Sequence, residues 1–331
     1  MAHPVIPPWQ RVPIHLRRSY WELAEATRAA IRAGMEREAA ALARDLEATT
    51  EAYAALPETL GGRLVNADLL ATLLPTLRAN PTQGYEALED PGGRAVVHLN
   101  AVGKRLRDRA LALAGNQPVL LLMGGQASGK TVGAWALGPA FGAIFDAPHT
   151  DPEALGFLVR RVKREGSGTL VHLAYADRSP ESSLYAMLDR SEREGRYVPL
   201  DRMARTHARA PHTFLGLASL RDGGVSLYHV RTRWNQAPSV AQGDEAVNEV
   251  AGRRKPDEQT VAYRLQTAYL AHLRTIPHDA SAWHPRDVLA GLNRSLDPWR
   301  RAEAHHLLQR LPEAVDVRAV RHRPLPPGDG Q

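Results

Sequence analysis

The chain has 331 residues, with 42 Lys and Arg against 36 Asp and Glu, a formal net charge of +6, and 44% hydrophobic residues. That length suits about two domains and at least one sizeable core, and so small a surplus of charge is what an arginine-rich solvated surface gives, with only weak attraction to phosphates or nucleic acid. The lack of cysteine excludes a disulfide framework and thiolate metal sites; no run reaches ~18 apolar residues, so no membrane span is expected, and the opening MAHPVIPPWQRVPIH lacks the apolar centre of a secretory signal, which makes the cytoplasm the expected location.

Residues 1–17 are proline-rich and read as an extended arm. A helical N-terminal region, 18–116, follows. Apolar residues at helical spacing (Leu23, Ala26, Ile31, Met35, Ala39, Leu42, Leu46) predict one long helix or two over Tyr20–Tyr53. Leu56-Pro57 and Gly61-Gly62 end that run. A second run, Asp68–Arg78, follows the capping residue Asn66, and a third covers about Val96–Ala114.

The texture changes over 117–234. Val119–Met123 is wholly apolar and ends in glycines, as a buried parallel strand does. A helix over about Lys130–Leu137, a strand at Ala143–Phe145, a helix over Asp151–Glu165 capped by Thr150 or Asp151, and a strand at Thr169–Tyr175 follow. Next come helices at Pro180–Glu194 and Leu200–Leu220, the latter kinked or divided by Pro211, and a strand at Val225–Val230. Strands alternating with helices predict an α/β fold, a mostly parallel sheet of the P-loop NTPase type flanked by helices. Residues 235–259 are polar and read as a linker. Residues 260–320 read as a helical C-terminal region broken near Pro277, Pro285 and Pro298, whose aromatics Tyr263, Tyr269, Trp283 and Trp299 suit a core. Residues 321–331 read as a disordered tail.

Gly124-Gly125-Gln126-Ala127-Ser128-Gly129-Lys130-Thr131 satisfies G-x-x-x-x-G-K-[ST], with an apolar strand before it and a helix after it. In such a loop, successive amide N–H groups turn inward onto phosphate oxygens at a helix N-terminus. Lys130 would reach the β- and γ-phosphates of ATP or GTP, and the Thr131 hydroxyl would ligate Mg2+. Asp146 ends the next apolar strand, where sheets of this kind bind ligands; it would hold Mg2+ through water, take a proton from an attacking hydroxyl, or simply end the strand. The segment Asp189–Pro199 carries Arg190, Arg193 and Arg196. These arginines suit either a solvated helix face with local Glu–Arg pairs or the stabilisation of a transferred phosphoryl group.

The pieces LLLMGGQASGKT, AIFDAPHTDPEAL, LVHLAYADRSPESSLYAML and DRSEREGRYVPLDRMARTHARAPHTF together resemble the zeta-toxin family of P-loop kinases over about Pro118–Arg233. The last piece, with its Gly-Arg-x-Val-Pro turn and the following Thr206-His207, is the most specific after the loop. The resemblance implies a Mg2+-dependent kinase using ATP or GTP, with Lys130 and Thr131 as phosphate and metal contacts and Arg190 and Arg196 as lid-type arginines. It also implies a UDP-activated amino sugar as acceptor and an antitoxin or inhibitor protein as partner. Family kinases carry an aspartate on the strand after the P-loop helix, then a long substrate-binding segment, then a later strand ending in an acidic motif. Here Ala143–Phe145 follows Thr131 closely, so Asp146 matches either the base or the later motif, and Asp68 with the N-terminal helices is a candidate replacement for the missing segment.

Three functions fit these residues: a small-molecule kinase with Lys130, Asp146, Arg190 and Arg196 as catalytic residues; a nucleotide-binding regulatory module with little catalysis; or a kinase of a nucleotide, nucleic-acid end or antibiotic. Nucleic acid is an unfavoured partner, because Arg253-Arg254-Lys255 is short and isolated.

Overall fold

The structure, a computed structural model, describes residues 20, 23–88, 90, 92–137, 141–147, 150–165, 170–194, 196–233, 236–276 and 286–309. The expected arm at 1–17 and tail at 321–331, with the breaks at Pro277 and Pro285, lie outside the described residues.

The N-terminal run is two helices, α1 (Glu25–Arg44) and α2 (Leu46–Ala54), separated where Asp45 accepts the Ala48 N–H and caps α2. A strand that the sequence had hidden comes next: β1 (Leu64–Asn66). It leads into α3 (Ala67–Ala71), α4 (Pro75–Ala79), α5 (Pro81–Leu88) and α6 (Ala95–Ala114). Asn66 is the expected cap, accepting from the N–H groups of Asp68 and Leu69. The expected single helix over Asp68–Arg78 is instead the pair α3 and α4, because Pro75 starts the second.

Then follow β2 (Val119–Gly124), α7 (Lys130–Leu137), β3 (Ala143–Asp146), α8 (Pro152–Glu165), β4 (Val171–Asp177), α9 (Pro180–Glu194), α10 (Leu200–Gly216) and β5 (Val225–Arg233). Asp151 caps α8 as expected, accepting from Glu153 and Ala154. α10 runs through Pro211 without dividing. The segment read as a linker carries β6 (Gln236–Gln242) and α11 (Asp244–Ala251). The chain continues into α12 (Glu258–Thr275), α13 (Arg286–Arg294) and α14 (Pro298–Gln309).

Among the described residues six strands form one sheet in the order β1-β3-β2-β4-β5-β6, parallel except for β6. β2 is central and buried along its whole length. Its Val119, Leu121 and Met123 face one core with α6, α8 and α10, while Leu120 and Leu122 face another beneath α7. Burial on both faces is why this strand is a continuous apolar run rather than an alternating one. Each such leucine contributes about 1.5–3 kcal/mol. A further core joins α9 and α10 to α12, α13 and α14 around the fully buried Tyr269.

Candidate phosphate and acceptor site

The glycine-rich loop Gly124–Thr131 leaves the carboxyl end of β2 and opens α7. Ala127 at φ 56° and Gly129 at φ 82° give it left-handed turns. Four residues from other segments clamp its backbone. Thr206 of α10 accepts the Gln126 N–H at 3.0 Å, and His207 Nε2 lies 2.8 Å from the Gln126 carbonyl. A Cβ on Gly125 would meet the His207 ring at 2.5 Å, so only glycine admits this approach. Thr232 donates to the Ser128 carbonyl at 2.5 Å and Arg178 to the Ala127 carbonyl at 3.3 Å. Burial pushes the His207 pKa down to about 4, against the pull of its bond to Gln126, so at neutral pH the ring is uncharged and Nε2–H is the donor.

Lys130 donates to the Gly125 carbonyl at 3.1 Å. Its surroundings lower the ammonium's pKa by burial, while Asp146 and Asp68 draw it back up. Thr131 opens α7 with its hydroxyl 3.4 Å from Asp146 Oδ2. Asp146 sits at the end of β3, buried; Asn66 Nδ2 donates to the same Oδ2 at 2.9 Å, and Oδ1 is buried with no partner. An unpartnered buried carboxylate oxygen beside the Thr131 hydroxyl is the donor set a hard divalent cation takes, with water and phosphate filling the rest. No group of three or more His, Asp or Glu side chains able to hold a metal occurs among the described residues.

Beside Gln126 and Asp146 a cavity of about 670 Å3 opens between β3, α8 and the N-terminal helices. Asp68 at the start of α3, Arg190 of α9 and Arg196 of the turn before α10 line it together. Crowding alone would raise the Asp68 pKa, but Arg196, Arg190, Lys130 and Arg202 outweigh it and hold the carboxyl below its usual range. Arg196 forms an ion pair with Asp68 and lies over the Tyr85 ring at 5.1 Å. Among the described residues, five arginines (107, 161, 190, 196 and 202) line this cavity against three carboxylates, Asp68, Glu86 and Asp146, among walls of Leu70, Leu99 and Phe145.

The loop residues, Asp146, Arg190 and Arg196 are therefore brought to one place. Asp68 and Asn66 join them from upstream, Asn66 at the end of β1, the strand paired with β3, and Asp68 two residues on. Asn66 was legible only as a cap. Arg178 and Thr232 carried no sequence signal: Arg178 follows β4, and Thr232 lies near the polar end of β5. Among the described residues no helix is long and apolar enough to cross a membrane. In comparisons with known proteins, no family model matches the chain and no curated protein matches it, so the functional reading rests on this geometry.

Proposed function

We propose that the chain is a zeta-toxin-like P-loop phosphotransferase that moves the γ-phosphate of ATP or GTP to a hydroxyl of a small anionic acceptor. The observation that carries this reading is the cavity beside the loop, lined by Asp68, Asp146, Arg190 and Arg196. A regulatory nucleotide switch has no need of such a space next to its phosphates. The excess of arginine on the walls favours an acceptor that brings its own negative charge. A UDP-activated amino sugar meets that requirement and is the first to test.

In this mechanism the loop N–H groups and Lys130 hold the β- and γ-phosphates. The acceptor hydroxyl lies against Asp68, which is ionised at neutral pH and takes its proton. The acceptor oxygen bonds to the γ-phosphorus as the bond to the β–γ bridging oxygen breaks, and the electron pair leaves on the nucleoside diphosphate. A base of low pKa suits a loose transition state in which the proton leaves late. Arg196 moves from Asp68 towards the transferred phosphoryl, and Arg190 adds charge from α9. Thr131 and, through water, Asp146 would hold Mg2+, which supplies neutralisation of the β- and γ-phosphate charge. Phe157, exposed at the cavity rim, offers an inhibitor protein an apolar contact.

The test supplies γ-labelled ATP with a UDP-amino sugar and, separately, with a metabolite extract. The wild type is expected to transfer label, and Lys130→Ala to lose about 10²–10³-fold. Transfer persisting in Lys130→Ala sinks the reading. Nucleotide binding by the wild type with no transfer to any acceptor favours the regulatory alternative instead.

A further inference from the structure

Arg178 follows β4 directly and passes beneath the glycine-rich loop. It is 9% exposed. Its Nε donates to the Thr232 hydroxyl at 3.2 Å, and its Nη1 to the Ala127 carbonyl at 3.3 Å. Its Nη2 lies 2.8 Å from where a Cβ on Gly129 would stand. Both partners are neutral. Arg161, Arg196, Arg264 and Arg294 each face a carboxylate, whereas among the described residues Arg178 forms no ion pair. A buried guanidinium without a counter-charge lowers stability, and folds keep such a cost where a ligand supplies the missing charge. The Ser128 hydroxyl in the same loop is likewise buried without a partner.

The bonds also orient the loop. In a planar trans peptide the carbonyl and the next N–H point in opposite directions. Arg178 holds the Ala127 carbonyl, and Thr232 holds the Ser128 carbonyl. The Gly129 N–H is thereby turned away from Thr232, and the Ser128 N–H is turned away from Arg178 and donates to the Gly125 carbonyl at 3.3 Å within the loop. A neutral residue could serve as such a staple; only a cation adds attraction for a polyphosphate.

We propose that Arg178 is a second cation of the phosphate-binding loop, positioning its N–H groups from below and completing its own charge with the polyphosphate of the bound nucleotide. The inference rests on the nucleotide-binding reading above. It would make Arg178 a positioning residue for the loop and a determinant of affinity that grows with the number of phosphates.

The experiment measures binding of ATP, ADP and AMP by titration calorimetry, without acceptor, to the wild type, Lys130→Ala, Arg178→Met and Arg178→Lys, alongside melting temperatures of the nucleotide-free proteins. Arg178→Met is expected to bind ATP about tenfold more weakly, with a loss that shrinks from ATP to AMP, and its nucleotide-free melting temperature is expected not to fall. Arg178→Lys, which keeps the charge and loses the fork, is expected to recover part of the ATP affinity; should Arg178→Met fail to fold, this variant still tests the charge, because it must bind ATP more weakly than the wild type but better than Lys130→Ala. An ATP affinity unchanged in either Arg178 variant, or an equal loss for ATP and AMP, overturns the proposal. A wild type that binds no ATP overturns the nucleotide reading and this inference together; a wild type that binds ATP while Arg178→Met binds it equally well overturns this inference alone.

Discussion

Asp68 and Asp146 stand at the same cavity in different surroundings, and under the proposed transfer the difference gives them different work. Asp68 faces four cations and has an open side; Asp146 is buried beside the Thr131 hydroxyl with one oxygen unused. Asp68→Asn is expected to lower kcat by about 10²–10⁴ with the nucleotide KM within twofold. Asp146→Asn is expected to raise the Mg2+ concentration needed for half-maximal transfer by about 10–100-fold. Steady-state kinetics with Mg2+ titration separates the two. His207 adds a pH signature. Its folded pKa is depressed from 6.5 to about 4, so the unfolded chain binds the proton more readily. Its contribution to stability is therefore complete above pH 6.5, falls as the pH drops below that value, and is gone below about pH 4. His207→Gln keeps a donor for the Gln126 carbonyl and removes the titration, so its melting temperature should decline less than that of the wild type between those two pH values.

At the scale of elements, the sequence was most legible where burial is two-sided or helical spacing is long. β2, α7, α9 and α6 fall within a residue of their expected bounds, because apolar runs and proline or glycine punctuation mark them directly. β1 escaped notice because three residues are too few to show a period, and its pairing with β3 lies far along the chain. The supposed linker misled for another reason. β6 is an edge strand with only Ala241 buried, and Pro238 on it blunts further pairing, so its polarity is that of an edge rather than of a tether. The segment after it is held by side chains: Glu249 of α11 lies 2.6 Å from Nδ1 of the fully buried His229, whose Nε2 is 3.1 Å from Asp177, and Arg253 pairs with Asp177 as well. Of the two effects expected of Pro211, division does not occur. Proline in a helix frees the carbonyl four residues earlier, here that of His207, without breaking α10, because both sides of the helix are packed. The C-terminal helices are no appendage either, since Tyr269 donates to the Leu289 carbonyl at 2.8 Å inside the core they share with α9 and α10. Tyr269→Ala is expected to cost about 3–5 kcal/mol, read from the urea unfolding midpoint.

For the whole molecule, packing crosses the expected boundary at 116/117. One continuous core runs from Tyr20 and Met35 through Leu106 and Leu121 to Val250. Glu86 ties remote segments together at the cavity wall: the Tyr20 N–H donates to it at 2.6 Å, Arg294 of α13 pairs with it at 2.9 Å, and Tyr197 donates to it. A chain starting at residue 117 would leave Leu121, Met123 and Phe145 without the cover of α6. It is expected to remain unfolded or to aggregate, as judged by circular dichroism and gel filtration, whereas a folded monomer would restore the separate-domain view. The order of the strands bears on synthesis itself. Asn66 meets Asp146 across 80 residues of sequence, so at about 5–20 residues per second roughly 4–16 s pass between the ribosome's making of β1 and of its partner. Over that interval Leu64 and Val65 have no strand to join, and the Tyr53 hydroxyl, which donates to the Leu64 carbonyl and accepts the Asn66 N–H, is the local contact that can hold the nascent strand in shape until β3 emerges.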